Sequence, residues 1–159
     1  MMFLNKLKPI FLLGLFAILL THACKKKENC DAITTVAPEA EVTALRNHLT
    51  TFGISATEDY RGFFYVISNP GGDEKPTVCD DVKVNYVGRL LNGNVFDQGN
   101  GVSFGLDGLI VGWQEGIPLI GAGGKIKLYL PPSLAYGSNA NGSIPANSSL
   151  IFDIDLLGF

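Results

Sequence analysis

The spacing of apolar residues changes twice along the chain, and each change predicts a different structural element. Residues 10–20 form an almost unbroken apolar run. Over residues 38–52, apolar side chains recur every three or four positions, which is typical of an amphipathic helix, and Gly53 then supplies a stop. From residue 62 onward the period is two, so the rest of the chain is predicted to be mainly β-strand.

The predicted helix over residues 38–52 has a proline in its first turn and two glutamates near the positive end of its dipole. Its apolar stripe consists of Val42, Leu45, Leu49 and Phe52. We expect this stripe to dock the helix on the main domain. The alternative is that the stripe joins two copies of the chain as a dimerisation helix.

Five segments have the alternation, or the β-branched and aromatic composition, that is typical of strands. They are residues 63–67, 82–86, 95–97, 125–130 and 150–157. Asn92-Gly93 lies between the second and third segments and predicts a hairpin. Four or five antiparallel strands with one short central helix make an α+β domain.

The central helix is predicted from the stretch that holds the only tryptophan of the chain. One side of this helix, about two turns long, carries Leu109, Ile110, Trp113 and Ile117. Pro118 then disfavours a longer helix. Because a helix this short is unstable alone, tertiary packing must hold it, and Trp113 by itself is interpreted as a core residue.

The first 23 residues have the organisation of a signal peptide, with lysines before the apolar run and a small residue at its end. The run has about half the ~20 residues needed to span a bilayer. Cys24 directly follows this small residue, which resembles a bacterial lipobox and implies a diacylated cysteine at the cleaved N-terminus. The match departs in one respect, since Thr21 stands where the pattern has leucine. The alternative is a plain secreted protein.

Removal of residues 1–23 leaves 10 basic and 15 acidic side chains, because two of the 12 basic residues are removed, and the formal charge is then −5. This balance excludes a nucleic-acid partner, which would need clustered positive charge. The only basic run, Lys25–Lys27, is expected to touch lipid headgroups or to be a solvated tether. Lys25 stands where an aspartate would favour inner-membrane retention of a Gram-negative lipoprotein, which favours the outer membrane.

The sequence lacks the residues that nucleophilic catalysis or a histidine metal site would require. After removal of residues 1–23 the chain has one histidine, His48, so neither a catalytic Ser/His/Asp set nor a histidine metal site is expected. The glycine-rich stretch 121–125 fails as a phosphate loop because Ile126 occupies the magnesium-binding position. No metal and no cofactor are predicted. Cys30 and Cys79 remain after lipidation, and we predict a disulfide between them.

Several aromatic motifs occur in an order that resembles the FKBP-type peptidyl-prolyl cis-trans isomerases. They are Val84-Asn85-Tyr86-Val87-Gly88, Asn94-Val95-Phe96-Asp97, Phe104, Leu109-Ile110-Val111-Gly112-Trp113, Leu134-Ala135-Tyr136-Gly137, Ile144-Pro145 and Leu150-Ile151-Phe152-Asp153. The resemblance covers residues 62–159, and the N-terminal part resembles bacterial lipoprotein members. It implies an antiparallel half-barrel sheet wrapped around the short helix. The predicted organisation is a signal peptide (1–23), a tether (24–37), an N-terminal helical extension (38–61) and the isomerase domain (62–159).

The same resemblance implies a site for proline. Trp113 is expected at the floor of an apolar pocket whose walls and lining are Tyr86, Phe96, Phe104, Leu109, Ile144 and Phe152. Asp97 and the Tyr136 hydroxyl are expected at the rim, and the Ile110 N–H is expected to donate to a bound carbonyl. The implied partners are proline-containing folding polypeptides, macrolide-type inhibitors and, through a lipid anchor, a membrane of the bacterial cell envelope.

Alternatives remain at this point. Asp97 could serve as a hairpin-end cap, and Tyr136 as a buried aromatic whose hydroxyl is satisfied by backbone. Val102 stands where the family often has an aromatic, which favours a proline-binding module or holdase with little catalysis. A purely structural lipoprotein is the third reading.

Overall fold

A computed structural model of the chain describes Cys30 and residues 33–159. The predicted signal peptide, residues 1–23, and the lipidation site Cys24 lie outside the described residues. Within the described part of the chain, no helix has the length and apolar character required to cross a membrane.

The described chain folds as one antiparallel six-stranded sheet with two α-helices. The strands are β1 (Thr57–Glu58), β2 (Phe64–Asn69), β3 (Asp81–Leu90), β4 (Val95–Gly105), β5 (Lys125–Leu130) and β6 (Leu150–Gly158), in the spatial order β1-β2-β5-β6-β3-β4. The helices are α1 (Glu39–Thr51) and α2 (Val111–Gly116), and 3₁₀ turns cover Leu106–Gly108, Ile117–Leu119 and Pro132–Leu134. The predicted α+β class with a short central helix is confirmed.

Two predictions about the strands were wrong in detail. The sheet has a sixth strand, β1, whose two exposed residues carry no apolar pattern and pair with β2. Strand β4 continues to Gly105 rather than ending near residue 97, because its ladder with β3 holds a stretch of glycine and polar residues extended. Pairing with a neighbour, which sequence spacing does not report, defines both strands.

Helix α2 lies tightly against β5, and two glycines make that approach possible. A Cβ at Gly112 would lie 2.4 Å from the side chain of Leu130, and one at Gly116 would lie 2.6 Å from Leu128. These glycines are one helical turn apart, so they share the face that meets the sheet. Trp113, next to Gly112, is 4% exposed. The observed helix begins two residues later than predicted, because Leu109 and Ile110 precede it. Pro118 lies in the 3₁₀ turn that follows.

Helix α1 docks on its own domain rather than presenting its stripe to a second copy. Val42, Leu45 and Leu49 are buried in the common hydrophobic core. Phe52, predicted as the fourth member of the stripe, is instead 66% exposed and lies against His48, with 4.6 Å between the ring centroids. That prediction was wrong because Phe52 is the C-cap, where the helical periodicity ends.

Contacts of the N-terminal segment cross the predicted boundaries. The sulfur atoms of Cys30 and Cys79 are bonded at 2.01 Å, which ties the predicted tether to the loop before β3. The Ala37 N–H donates to the Arg61 carbonyl at 2.8 Å, and Ala37 is buried. Since β1 also pairs with β2, residues 33–61 and the following domain share one sheet and one core.

Candidate active site

Three aromatic rings contact the indole of Trp113, and a fourth contacts one of those three. The rings of Tyr86, Phe104 and Phe152 meet Trp113 edge to face, with centroid distances of 5.2, 6.1 and 5.3 Å and interplanar angles of 81°, 86° and 88°. Phe96 meets Phe152 at 5.6 Å and 85°. Edge-to-face packing is a favoured arrangement of aromatic pairs, so the rings hold one another in place.

The cavity enclosed by these rings has a volume of about 170 Å³. It is lined by Tyr86, Phe96, Asp97, Phe104, Leu109, Ile110, Trp113, Tyr136 and Phe152. Drug-sized ligands occupy pockets of roughly 300–1,000 Å³, so this cavity suits a single small ring rather than a whole ligand. We call it the aromatic pocket.

The structure brings together nine of the ten pocket residues predicted from the sequence. Ile144 is the exception, because it is buried in the hydrophobic core and pairs with Asn141 across a tight turn, and it does not line the aromatic pocket. Val102, whose position was expected to affect the pocket, pairs with Val84 in the sheet and also does not line the cavity.

Strands β3, β4 and β6 bring three of the rings into register. Gly88 is opposite Phe152 on β6 and opposite Asp97 on β4. The β3–β4 register shifts at this point, which leaves Phe96 as the extra residue of a bulge, and bulges re-aim side chains. A Cβ at Gly88 would lie 2.6 Å from the Phe96 ring and 2.9 Å from that of Phe152. The absence of a side chain at Gly88 therefore makes room for both rings.

Asp97 is held at the edge of the pocket by two hydrogen bonds. Its Oδ2 accepts the Tyr86 hydroxyl at 2.7 Å, and its Oδ1 accepts the Gln98 N–H at 2.9 Å. Burial, followed by this hydrogen bond and the charge of Asp97, raises the pKa of Tyr86 to about 12. The Tyr86 phenol is therefore a protonated donor at neutral pH.

Tyr136 contributes the second phenol of the pocket. It follows the 3₁₀ turn Pro132–Leu134, and the Gly137 N–H closes the segment by donating to the Pro132 carbonyl at 2.8 Å. Burial, and next the charge of Asp97, raise the pKa of Tyr136 above its usual range. Both phenols of the pocket thus keep their protons at neutral pH.

The segment before α2 carries the backbone donor predicted for ligand binding. Ile110 is the N-cap of α2, and its carbonyl accepts the N–H groups of Trp113 and Gln114. The Gln114 side chain turns back and donates to the Leu109 carbonyl at 2.6 Å. This amide fastens the Leu109–Ile110 segment along the pocket.

Sequence reasoning missed Gly88, Gln114 and the Tyr86–Asp97 hydrogen bond. A glycine inside a strand often marks a close approach, so the pattern Tyr86-Val87-Gly88 contained a usable signal. The hydrogen bond carried no such signal, since its partners belong to different strands.

The described residues form no cluster of histidine, cysteine, aspartate and glutamate that could hold a metal ion. A larger cavity of about 530 Å³ lies among Asn85, Gln98, Asn100, Asp153 and Asp155. Its amides and carboxylates suit a proline ring poorly, whereas the aromatic pocket is smaller but apolar.

The sequence profile of the FKBP-type peptidyl-prolyl cis-trans isomerases matches residues 72–157, which is more than half of the chain. The chain belongs to this family. The FKBP-type isomerase FkpA of Escherichia coli K12 is 48% identical over 100 residues, which cover 60% of this chain and 37% of that protein. FkpA of Buchnera aphidicola subsp. Schizaphis graminum is 47% identical over 110 residues, which cover 66% and 43% of the two chains. This FKBP-type chain therefore matches less than half the length of these curated relatives.

Solved FKBP-type structures share the fold. The crystal structure of Escherichia coli FkpA superposes with a TM-score of 0.67 at 40% identity, covering 75% of this chain and 59% of that chain. A peptidyl-prolyl cis-trans isomerase from Pseudomonas syringae pv. tomato gives a TM-score of 0.66 at 33% identity, covering 78% and 97%. The predicted FKBP-like fold is confirmed.

Proposed function

We propose that the protein is a peptidyl-prolyl cis-trans isomerase that accelerates Xaa-Pro rotation in folding polypeptides. Rotation about an amide costs ~18–20 kcal/mol because the planar form is resonance-stabilised. Both isomers of an Xaa-Pro bond are accessible and exchange over tens to hundreds of seconds, so a catalyst need break no bond. The observation that carries the proposal is the aromatic pocket around Trp113.

The pocket would act by binding the twisted amide better than the planar one. When proline enters the aromatic pocket, the amide loses its hydration. This loss costs the polarised planar amide more free energy than the less dipolar twisted amide, so the twisted form is favoured. The Ile110 N–H, at the N-cap of α2 along the pocket, and the Tyr136 hydroxyl hold the flanking carbonyls of the substrate. This is differential binding of the transition state, and each ~1.4 kcal/mol of preference is worth tenfold in rate.

Asp97 has a positioning part in this scheme through Tyr86. The hydrogen bond at 2.7 Å fixes the Tyr86 ring against Trp113, and the Asp97 charge helps to raise the pKa of both phenols. Asp97 also lies two residues inside β4 rather than at the hairpin end, which argues against the cap interpretation. A macrolide-type inhibitor would fill the small cavity with one ring and lie over the rim.

A protease-coupled assay on Xaa-Pro peptides tests the activity. We expect Asp97→Val, Phe96→Ala and Tyr136→Phe each to lower kcat/KM while the domain stays folded. Tyr136→Phe removes a single hydrogen bond, so its loss is on the order of 1 kcal/mol, or several-fold in rate. Phe96→Ala opens the wall to water and should cost more. Matched controls are Tyr60→Phe and Phe159→Ala, whose parent side chains are 74% and 48% exposed.

The pH profile distinguishes this mechanism from proton transfer. Because no acid or base participates, kcat/KM should stay nearly flat between about pH 6 and 8, unlike the bell of general acid–base catalysis. A steep profile, or full activity in all three pocket variants, would overturn the assignment. An inactive wild type that still binds proline peptides would identify a binding module or holdase, and one that binds none would leave a structural role.

We further propose that the protein works in the bacterial cell envelope, anchored through a diacylated Cys24. Support comes from the apolar run of residues 10–20, the small residue before Cys24 and the disulfide, which is typical of oxidising compartments. Mass spectrometry of membrane-extracted protein should show a chain that begins at Cys24 and carries acyl mass. A soluble protein with a different, unmodified N-terminus would refute the anchor, and fractionation of the membranes tests the outer-membrane location.

A further inference from the structure

Arg61, at the end of the N-terminal segment, forms an ion pair with the helix that carries Trp113. Its Nη1 lies 2.9 Å from Oε2 of Glu115 on α2, and the two side chains are only 16% and 20% exposed. In five other ion pairs, which join Arg46 to Glu39 and Glu58, Asp153 to Arg89 and Lys127, and Lys125 to Asp155, every side chain is at least 33% exposed. Removal of one partner of a shielded pair leaves an uncompensated charge, so this contact should matter more than the surface pairs.

The backbone and side chain of Arg61 are themselves held in place. Its N–H donates to Asp59 Oδ1 at 2.9 Å, and its carbonyl accepts the Ala37 N–H at 2.8 Å. Its guanidinium lies 4.3 Å from the centroid of the Tyr60 ring. Arg61 therefore meets Glu115 from a fixed position, which reduces the entropy lost in forming the pair.

Helix α2 needs such support because it has only six residues. A helix of that length is held by tertiary contacts rather than by its own hydrogen bonds. Its glycines fix its distance from β5, but they supply no directional contact. The ion pair adds a directional contact at Glu115, which lies two residues after Trp113 in the sequence.

A second contact links the same N-terminal segment to the other side of the pocket. Oε2 of Glu41, on α1, accepts the backbone N–H of Ser133 at 2.9 Å. Ser133 lies in the 3₁₀ turn that leads to Tyr136, and an N–H near the start of such a turn lacks a partner within the turn. The carboxylate therefore caps the turn from 92 residues away in the sequence.

From these contacts we infer that Arg61 and Glu41 are positioning residues of the aromatic pocket. Arg61 orients α2, and with it Trp113, through Glu115, and Glu41 orients Tyr136 through the turn at Ser133. The N-terminal segment is thus part of the catalytic unit. This inference rests on the proposed isomerase function.

The first experiment compares Arg61→Met with Glu58→Gln in the full chain. Glu58 forms an ion pair with Arg46 at 2.8 Å within the same segment, and the hydrogen-bond and ion-pair partners of Arg46 all lie in residues 39–58. We expect Arg61→Met to lower kcat/KM about tenfold, mainly in kcat, because a misplacement of 1 Å can cost ~10²-fold. The emission of the lone tryptophan should shift as well, whereas Glu58→Gln should leave both readouts unchanged.

A double variant guards against simple loss of folding. Arg61→Met with Glu115→Gln leaves no charge uncompensated, so the domain should stay folded while kcat remains low. Glu41→Ala should likewise lower kcat, and Glu41→Gln, which keeps a carbonyl acceptor for Ser133, should restore it. Wild-type kcat and tryptophan emission in the folded double variant, or an activity of Glu41→Ala equal to that of Glu58→Gln, would overturn the inference.

These results separate the two proposals. An inactive wild-type protein would refute the proposed function alone, because the tryptophan emission and a proline-peptide titration still report on pocket geometry. An active wild type whose positioning variants match Glu58→Gln would refute the positioning role alone.

Discussion

At the scale of single residues, the pocket depends as much on missing side chains as on the aromatic rings. Gly88 provides the space that Phe96 and Phe152 share, and Gly99, opposite Tyr86, provides space for the Tyr86 ring. The polar edge depends in turn on the short contact between Tyr86 and Asp97. Even small substitutions at these positions should therefore have large effects on the pocket.

Gly88→Ala should disrupt the pocket wall. The new Cβ would lie within 2.6 Å of the Phe96 ring and 2.9 Å of the Phe152 ring, and overpacking of this kind costs about 1–3 kcal/mol. We expect a loss of that size in the free energy of unfolding, measured with denaturant, together with a lower kcat/KM. Gly158→Ala on β6 is the control, since no atom lies within 4 Å of its added Cβ. Equal effects of the two substitutions would contradict the packing argument.

Tyr86 should make stability depend on alkaline pH. Its pKa is raised from 10.0 to about 12, so the protonated phenol stabilises the fold. That stabilisation is fully present below about pH 10 and is lost as the pH rises through about 12. In denaturant titrations over this pH window, the free energy of unfolding of Tyr86→Phe should therefore decline less steeply with pH than that of the wild type. The slope for Asp97→Asn should lie between the two. Identical slopes in all three proteins would argue against the shift.

At the scale of elements, helix α1 and the sheet form one hydrophobic core. Leu45 is fully buried in the cluster that also contains Trp113 and Phe152, although the family profile begins only at residue 72. Helix α1 also supplies Glu41 to the turn before Tyr136. The N-terminal helix is therefore expected to contribute to the stability of the whole described domain.

Leu45→Ala should destabilise the entire domain and not α1 alone. Truncation of a fully buried leucine costs about 2–5 kcal/mol, whereas an exposed substitution usually stays within ~0.5 kcal/mol. Phe52→Ala at the C-cap of the same helix is the control, because Phe52 is 66% exposed. Far-ultraviolet circular dichroism and tryptophan emission should report one coincident transition in each variant. A separate early loss of helix signal in Leu45→Ala would show that α1 is an independent appendage.

At the scale of the whole molecule, the disulfide closes the N-terminal segment onto the sheet. Cys30 and Cys79 are 49 residues apart in the sequence, and their Cα atoms are 5.6 Å apart. The bond joins the chain ahead of α1 to the loop that precedes β3, the strand of Tyr86. The segment that carries Glu41 and Arg61 is thereby attached at both its ends, by the disulfide and by the β1–β2 pairing.

Cys79→Ser should lower the free energy of unfolding by up to about 4 kcal/mol, the chain-entropy value for a loop of this length. Denaturant unfolding with and without reductant measures it. Reductant should bring the wild type to the level of Cys79→Ser and leave the variant unchanged. Titration of two free thiols in the unfolded, non-reduced protein would contradict the disulfide.

Much of the fold follows from the sequence because local spacing specifies it. The period of 3.6 over residues 38–52 and the period of two in residues 125–130 and 150–157 each predict an element that the structure contains. Strand β1 and the second half of β4 could not be predicted, since their residues are extended only because a neighbouring strand pairs with them. The pocket residues were predicted from the order of the aromatic motifs. Ile144 does not line the pocket as predicted, because its buried position depends on how a distant loop closes.

The sequence by itself determined which residue types could take part, namely one tryptophan, several aromatic rings, two phenols and a carboxylate, with no nucleophile set among them. Tertiary structure alone decided their geometry. The perpendicular rings around Trp113, the Tyr86–Asp97 hydrogen bond and the contacts of Arg61 and Glu41 join residues on separate elements. Such contacts arise from strand register, helix docking and close approach at glycine, and these depend on the whole chain folding together rather than on any local pattern.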